Sequence, residues 1–438
     1  MDGWVRYDLW SRQRTSIKYD GDCGGVPVPP RPKETKGPPS PLAGVRVLDA
    51  SRVLAGPYLA MLLGDLGADV IKIEKPDGGD PTRAWGPPFV GTGKERVAAY
   101  FLSANRNKRS VVLDLKSRTG IAAFERLASQ SDILVENFLP WEWERLGVPG
   151  GEITKRFRRL VQCSVTGYGT KGDDSTKVAY DIVLQAETGL MGVTGHDEGE
   201  PIRVGVAVID ILTALYGLGA TLAALRLRDL TKHGNRVEIA MVDAGTAFLS
   251  YAAQSWFASG EQPPRLGSRH PNLVPYQAFR AKDDWLVVGA GSEDMWRRFC
   301  DALGRPTLGR SVKFSTNEDR VLNREALERV LTKIFAQHKV DYWLDRFREY
   351  RVPAGRVASV EKVARAAIER GGVTTARIGI GTVQPLLLAP FVIGGRRPGL
   401  SRPPPRLGEH TVEVLREAGL SLEEVRETVI RSPATSKR

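Results

Sequence analysis

From Gly44 onward, short runs of apolar residues alternate with polar turns in the order expected of strands and helices. The run 45–50 (VRVLDA) predicts a strand, and 57–66 predicts a helix because Pro57 suits a first helical turn. The run 68–74 (ADVIKIE) predicts a second strand. A strand, a helix and a strand within about thirty residues are typical of a parallel sheet covered by helices.

The same alternation continues toward the carboxyl terminus. Further strands are predicted at 109–115, 132–138 and 159–165, with a helix at 119–130. Farther along, the apolar spacing predicts a hairpin at 275–291, a mostly helical segment at 293–350 and a last amphipathic helix at 410–419. These elements predict an α/β fold with a large, parallel, Rossmann-like domain and a smaller α+β domain.

Changes in composition along the chain suggest where the domains begin and end. The Gly- and Pro-rich segment before residue 41 predicts a linker. We therefore divide the chain into an amino-terminal extension that is disordered or targeting (1–40), the amino-terminal part of the large domain (41–230), a long helix and linker (231–270), the small domain (271–360), and a linker with the carboxyl-terminal part of the large domain (361–438).

Two long apolar segments, 206–225 and 237–256, have the length of membrane spans. Asp210 interrupts the first segment, and small residues such as Gly217 and Gly219 would let another helix approach closely. We therefore predict two helices buried in a core or a subunit interface, and no membrane association.

Composition and charge narrow the choice of partner. Of the 438 residues, 42% are hydrophobic and 26% are charged, which is ordinary for a globular protein. The net charge of +12 favours an anionic partner, but the basic residues are dispersed rather than clustered beside stacking aromatics. We therefore expect a phosphorylated small molecule or a solvated surface, and no nucleic acid.

The cysteines and histidines give neither a disulfide framework nor a metal site. The three cysteines lie far apart and lack CxxC spacing, and the five histidines are equally scattered. We expect a reducing, intracellular location, either mitochondrial or cytoplasmic, and no bound metal.

Ligands of open parallel sheets bind beyond the carboxyl ends of the strands. The residues that follow the predicted strands there include Lys75, Lys116, Asn137 and Arg145, and a helix amino terminus follows the first strand. A GxGxxG string at 167–172 also follows a strand, but polar turn residues come next where a dinucleotide site needs a helix. Together these positions predict a rim that binds an anionic ligand.

Asp181 has two interpretations from its local sequence, AYDIVLQAETG. It could cap a helix that starts at Ile182, as many aspartates do. It could equally be a nucleophile, since a helix amino terminus stabilises the carboxylate that such chemistry needs.

Eight segments between about residue 41 and 420 resemble the class III CoA-transferases, the CaiB/BaiF or formyl-CoA transferase family. They are PLAGVRVLDASRVLAGP (41–57), LGDLGADVIKIEKPDGGDPTRAWGPPF (63–89), NRNKRSVVLDLK (105–116), DILVENF (132–138), SVTGYG (164–169), YDIVLQAETG (180–189), RHPNLVPYQAF (269–279) and PPRLGEHTVEVL (404–415). The resemblance implies an interlocked homodimer that acts on acyl-CoA and a carboxylic acid, with no cofactor beyond coenzyme A as co-substrate.

The resemblance also implies which residues form the site. Asp181 would be the nucleophile. The positions that would contact coenzyme A are Leu54, Ala55, Lys75, Leu113, Asp114, Leu115, Lys116, Asn137, Phe138, Leu139, Arg145, Thr166, Gly167, Tyr168 and Gly169.

The segments WGPPFVG and RHPNLVPYQAF are most similar to the succinyl-CoA:glutarate branch of the family. We therefore expect succinyl-CoA as donor and a glutarate- or itaconate-like dicarboxylic acid as acceptor, through aspartyl anhydride and aspartyl-CoA thioester intermediates. One alternative is an α-methylacyl-CoA racemase, which shares the fold but pairs a histidine with the aspartate, whereas Tyr180 precedes Asp181 here. A second alternative is a non-catalytic CoA-binding protein, against which an intact nucleophile argues.

Overall fold

A computed structural model describes residues 40–93, 96–148, 151–379 and 382–430. The predicted amino-terminal extension, up to residue 39, lies outside the described residues. The chain divides into two compact units. The first comprises Met1–Ser164, Gly217–Val237 and Arg365–Arg438, and the second comprises Val165–Tyr216 and Glu238–Ala364.

The strands and helices alternate along the chain as the apolar pattern predicts. The strands are β1 Arg46–Asp49, β2 Asp69–Glu74, β3 Phe89–Val90, β4 Val97–Ala98, β5 Lys108–Val112, β6 Ile133–Glu136, β7 Val161–Thr166, β8 Arg236–Ala240, β9 Tyr276–Arg280, β10 Trp285–Gly289, β11 Ala354–Arg356, β12 Val373–Ile378 and β13 Thr382–Leu387. The helices are α1 Ala55–Asp65, α2 Ala99–Leu102, α3 Arg118–Ser129, α4 Pro140–Arg145, α5 Asp181–Glu187, α6 Leu190–Val193, α7 Val208–Thr231, α8 Met241–Phe248, α9 Tyr251–Ser259, α10 Glu293–Ala302, α11 Pro306–Gly309, α12 Asn317–Leu322, α13 Arg324–Phe335, α14 Val340–Glu349, α15 Val360–Glu369, α16 Thr411–Glu417 and α17 Leu422–Ile430.

A six-stranded sheet with the order β5-β2-β1-β6-β7-β8 forms the centre of the first unit. β1 pairs in parallel with both β2 and β6, β2 pairs in parallel with β5, and β6 with β7. This is the Rossmann order, in which the direction of strand succession reverses between β1 and β6. The predicted parallel α/β architecture is confirmed, and the loops that follow β1 and β6 flank the reversal point.

The core of the first unit explains why these segments form strands and helices. Leu48, Ile71 and Leu134 point from neighbouring strands into one buried cluster with Phe124 of α3 and Leu415 of α16. Each such side chain contributes about 1.5–3 kcal/mol when it is fully buried. The short apolar runs are strands because the sheet buries them between two layers of helices.

The second unit contains an antiparallel sheet, β11-β10-β9, and most of the remaining helices. Trp296, Phe299, Phe335 and Phe347 fill its core, and the rings of Phe299 and Phe347 stack with centroids 5.5 Å apart. The Ser292 hydroxyl accepts a hydrogen bond from the N–H of Met295 and so caps α10. The predicted hairpin and the mostly helical segment that follows it are confirmed.

Two predicted elements differ in the structure. The predicted helix at 237–256 is wrong, because 236–240 is a strand and the helical stretch after it breaks between α8 and α9. Ser250 has a φ of +47° at that break, and such a backbone does not continue a right-handed helix. The first helix begins at Ala55 rather than Pro57, with Pro57 still in its first turn.

The predicted helix at 206–225 is confirmed as α7, which extends to Thr231. Among the described residues, α7 alone has the length and the apolar composition of a membrane-crossing helix, with a mean hydropathy of 1.8. Leu215, Tyr216 and Leu230 on this helix are exposed in the single chain. Their burial in an interface stays a prediction.

Candidate active site

The loop between β1 and α1 supplies the predicted coenzyme A contacts Leu54 and Ala55. Both residues are buried, and Leu54 occupies the position before the first turn of α1. Val53 has a φ of +74°, which is unusual for a β-branched residue. A Cβ on Gly56 would lie 2.3 Å from the Cβ of Ser51, so only glycine fits this close approach. The loop therefore has a tight and specific backbone shape.

Asn137, which directly follows β6, holds the same loop from the neighbouring strand. Its side-chain amide accepts a hydrogen bond from the N–H of Arg52 and donates one to the Arg52 carbonyl, both at 3.0 Å. The Arg52 guanidinium also donates to both carboxylate oxygens of Glu142, at 2.9 and 2.7 Å. Glu142 in turn accepts from the N–H of Leu139 at 3.1 Å. These hydrogen bonds connect the two loops at the reversal point. One is the loop after β6, which contains Asn137 and Leu139, and the other is the loop after β1, which contains Leu54.

The predicted contacts after β2 and β5 lie on the same edge of the parallel sheet. Lys75 and Lys116 are exposed, whereas Leu113 is buried. Asp114 accepts a hydrogen bond from the N–H of Lys116, and a Cβ on Gly120 would lie 2.1 Å from the Asp114 carbonyl oxygen. The 113–116 loop is therefore packed tightly against the start of α3, and Leu115 contacts the core beside it.

Arg145 ends α4 and lies partly exposed beside Trp141, with the guanidinium 5.2 Å from the indole centre. Its Nε is buried and has no hydrogen-bond partner, and its nearest carboxylate, that of Glu142, is 3.9 Å away. Phe138 packs edge-on against Trp143 at 5.2 Å and supports the helix from below. Arg145 thus retains N–H groups that could donate hydrogen bonds to a phosphate.

Thr166 is the last residue of β7, and Gly167, Tyr168 and Gly169 follow it; all four lie in the second unit. The Thr166 hydroxyl accepts from the N–H of Gly169 at 3.0 Å, and Gly169 has a φ of +95°. A Cβ on Gly167 would lie 2.5 Å from the Cβ of Ala179. These glycines serve a tight turn, and a 3-10 helix at Asp173–Thr176 follows in place of the long helix that a dinucleotide site requires.

Tyr168 closes this turn through a small ionic cluster. Its hydroxyl donates to Glu187 at 2.6 Å, and Lys177 donates to the other carboxylate oxygen at 2.8 Å while lying 4.3 Å from the ring centre. Hydrogen bonds from Lys177 and Tyr168 lower the pKa of Glu187. The cluster fixes the phenol ring beside the carboxyl-terminal end of α5, where Glu187 is the last residue.

Asp181 is the first residue of α5, and Tyr180 takes the capping position, so Asp181 does not cap its own helix. Its carboxylate accepts from another helix instead. Oδ1 accepts from the N–H of Ile209 at 2.8 Å and from that of Asp210 at 3.3 Å, both at the amino terminus of α7. Oδ2 accepts from the Gln185 amide at 2.5 Å. The negative charge lies at the positive end of a long helix dipole, where it is stabilised.

The sequence analysis missed Asp210 as a site residue. Asp210 lies in the first turn of α7, is 9% exposed, and contributes its N–H to the Asp181 carboxylate. Its signal in the sequence was the charge in an otherwise apolar run, which served above only to argue against a membrane span. A buried carboxylate at a helix amino terminus is a candidate for chemistry in its own right.

The basic run at 106–109 does not form an anion site. Arg106 pairs with Asp65, Lys108 with Asp49 and Arg109 with Asp69, at 2.5 to 2.8 Å. The thiols of Cys163 and Cys300 are buried, which raises the pKa of each to about 12 and makes them poor nucleophiles. In the part of the chain that the structure describes, no group of three or more His, Cys, Asp or Glu residues could hold a metal ion.

Comparisons with known proteins cover almost the whole described chain. The model of CoA-transferase family III matches residues 42–411. Succinyl-CoA:glutarate CoA-transferase of Homo sapiens is 37% identical over 407 residues, 92% of each chain. Succinate–glutarate CoA-transferase of Agrobacterium fabrum is 36% identical over 86% of this chain and 95% of the relative. The crystal structure of a CAIB/BAIF family protein from Brucella suis is similar with a TM-score of 0.77 and 34% identity, over 87% of this chain and 100% of that one.

Proposed function

Because this chain belongs to CoA-transferase family III, we propose that it transfers coenzyme A from succinyl-CoA to a dicarboxylic acid such as glutarate. The chain is a CoA-transferase, with coenzyme A as co-substrate. The choice of substrates is supported by the two relatives above, whose names specify succinyl-CoA or succinate together with glutarate. The observation that supports this chemistry is the Asp181 carboxylate, which accepts hydrogen bonds from N–H groups at the amino terminus of α7.

The proposed reaction proceeds through a covalent intermediate on an aspartate. The carboxylate attacks the thioester carbonyl of the donor, which forms a mixed anhydride and releases the CoA thiolate. The thiolate then attacks the aspartyl carbonyl, which forms an aspartyl-CoA thioester and releases the donor acid. The acceptor carboxylate repeats these steps in reverse and regenerates the free aspartate. The overall reaction exchanges one thioester for another, so it proceeds without an external energy source.

We propose Asp181 as this nucleophile, and the hydrogen bonds around it identify Asp210 as a second candidate. The N–H groups of Ile209 and Asp210 already bind one Asp181 oxygen and could follow it as it becomes part of a tetrahedral oxyanion. Such a donor is worth about 3–4 kcal/mol in the transition state. The same bonds also reduce the nucleophilicity of Asp181, since attack must weaken the Gln185 contact. Asp210 shares the helix dipole and is therefore the alternative nucleophile.

For coenzyme A itself, we propose the loops at the reversal point of the sheet. The tight backbone around Leu54 and Ala55 begins a helix whose N–H groups suit a phosphate. Lys75, Lys116 and Arg145 add positive charge on the same edge. Asp114, Leu115, Asn137 and Leu139 are the partly exposed residues of the same loops, and Leu113 and Phe138 are buried beneath them. For the turn Thr166–Gly169, the family resemblance alone supports a contact with coenzyme A.

The substrate proposal is tested by an acceptor panel with succinyl-CoA as donor. Glutarate and itaconate should accept coenzyme A, whereas valerate, which has the chain length of glutarate and one carboxylate, should react at least tenfold more slowly. Product acyl-CoA is measured by chromatography. Equal rates with valerate would refute the dicarboxylate preference, and deuterium uptake at Cα of an acyl-CoA without any acceptor would indicate a racemase instead.

A further inference from the structure

Two lysines of the first unit are completely buried, although the proposed reaction makes no use of them. Lys72 in β2 and Lys108 in β5 each have 0% exposure. Lysine is almost never fully buried unless its ammonium group is paired. The partners of these two side chains therefore indicate what the buried charges do.

Lys108 uses all three of its N–H groups. It donates to the Asp49 carboxylate at 2.8 Å, to the Pro57 carbonyl at 2.7 Å and to the Asn105 side-chain oxygen at 2.9 Å. Asp49 is the last residue of β1, and Pro57 lies in the first turn of α1. One ammonium group therefore joins the two ends of the loop that contains Leu54 and Ala55.

Lys72 binds the middle of the same loop. It donates to the Ser51 carbonyl at 3.0 Å and pairs with Asp80 at 2.9 Å. Ser51 is also held by Asp49, whose second oxygen accepts from the Ser51 hydroxyl at 2.5 Å and from its N–H at 3.1 Å. Asp80 belongs to the segment that follows Lys75. The buried network thus connects two of the segments proposed to bind coenzyme A.

The loop needs such support because its backbone is strained. Val53 adopts a φ of +74°, which persists only where surrounding contacts determine the backbone fully. We propose that Lys108, together with Lys72, is a positioning residue that holds this loop in the shape that binds acyl-CoA. The inference rests on the proposed binding of coenzyme A at Leu54 and Ala55.

The Lys108 ammonium is the part of this network that titrates near physiological pH. Burial, opposed by the attraction of Asp49 and reinforced by the repulsion of Lys72, lowers its pKa to about 8. Asp80 and, from α1, Asp65 are the other charged groups that act on it. A neutral amine has two N–H groups for three acceptors and leaves Asp49 with one counter-charge fewer. The loop should therefore lose support as the pH rises through about 8.

Titration of Lys108 changes the stability of the protein in a direction that distinguishes a loss of loop support from unfolding. The folded-state pKa of Lys108 lies below its ordinary value of 10.5, so the unfolded chain binds more protons between these values. Deprotonation of Lys108 therefore contributes increasing, not decreasing, stability as the pH rises. A weaker affinity for acyl-CoA over this interval cannot come from this group unfolding the protein.

The test is the pH dependence of kcat and KM for succinyl-CoA, with glutarate as acceptor, between pH 6.5 and 9.5. In the wild type, KM should rise with a midpoint near 8 while kcat changes little. Lys108→Met should raise KM roughly tenfold at pH 7, as expected for a lost hydrogen bond to a charged group, and should abolish the inflection. Lys313→Met, an exposed lysine of the second unit, is the matched control and should retain the wild-type profile.

Two outcomes would overturn the inference. One is a wild-type KM that stays flat across this range while transfer proceeds normally, which leaves the proposed function intact. The other is an inflection that persists in Lys108→Met. If that variant does not fold, the wild-type profile, recorded with thermal melts in the same buffers, decides alone. Absence of transfer at pH 7 would instead refute the proposed function, and this inference with it.

Discussion

At the scale of single residues, the amino terminus of α7 brings two carboxylates together. Asp181 receives hydrogen bonds from Gln185, Ile209 and Asp210, which gives it a structural role whether or not it reacts. Asp210 lies in the first turn of α7, at the positive end of the same dipole. Removing a nucleophile abolishes the reaction, whereas removing a helix-capping carboxylate lowers the stability. Mutation can therefore distinguish the two roles.

We predict that Asp181→Ala abolishes transfer and leaves acyl-CoA affinity nearly unchanged, whereas Asp210→Ala retains activity. If Asp181 only caps α7, Asp181→Ala should instead lower stability by about 1 kcal/mol and retain activity. Turnover, acyl-CoA binding and thermal melting are measured for both variants. Mass spectrometry of wild type treated with acyl-CoA and hydroxylamine should locate the adduct on Asp181.

Asp197→Ala, an exposed aspartate of the second unit, is the control and should behave as the wild type in all three measurements. If Asp181→Ala retained substantial turnover, the covalent mechanism on Asp181 would be wrong. An adduct on another residue would lead to the same conclusion.

At the scale of elements, the corner between β1 and α1 determines whether the proposed coenzyme A loop can form. The corner is tight because only five residues separate the end of β1 at Asp49 from the start of α1 at Ala55. Gly56 permits that turn, since a Cβ there would meet the Ser51 side chain at 2.3 Å. Both the proposed contact with coenzyme A and the shape of this corner therefore depend on the absence of a side chain at Gly56.

We predict that Gly56→Ala lowers the free energy of unfolding by about 1–3 kcal/mol, the usual cost of forcing an atom into a packed site. The displaced loop should also raise KM for acyl-CoA. Gly355→Ala in β11 is the control, because nothing lies within 4 Å of its added Cβ. Denaturant unfolding and kinetics measure both effects. A Gly56→Ala variant as stable as the wild type would show that the loop can shift without cost.

At the scale of the whole molecule, apolar side chains lie exposed on the second unit of the single chain. Phe257 is 70% exposed, Val178 68% and Tyr251 58%. Large exposed apolar groups of this kind commonly mark an interface. We propose that a second copy of the chain covers them, in the interlocked homodimer that the family resemblance implies.

We predict a dimer that does not dissociate on dilution, because separating interlocked chains would require unfolding. Sedimentation at nanomolar concentration measures this directly. Phe257→Asp should reduce the yield of dimer, since burying an unpaired carboxylate is costly. Val312→Asp, at a valine of the second unit that is 85% exposed, should not. A stable, folded wild-type monomer at nanomolar concentration would exclude the interlocked arrangement.

The sequence by itself determined the order and type of most elements in the first unit. The runs around β1, β2 and β6 are apolar enough, and bounded by clear enough turns, to be recognised without tertiary information. Because parallel strands end at one edge, the positions of Lys75 and Asn137 on a common rim followed from the same pattern. The sequence pattern was misleading at 237–256, where apolar residues suit a strand and a helix equally well.

Only the tertiary structure decided which side chains meet. Asn137 binds the backbone of Arg52 across 85 residues, Lys108 binds Asp49 across 59, and Asp181 binds the N–H of Ile209 across 28. These partners depend on strand order and on where α7 begins, and a local pattern of apolar and polar positions encodes neither. The motif around Asp181 is visible in the sequence, but the hydrogen bonds that bring Asp210 beside it exist only once the chain has folded.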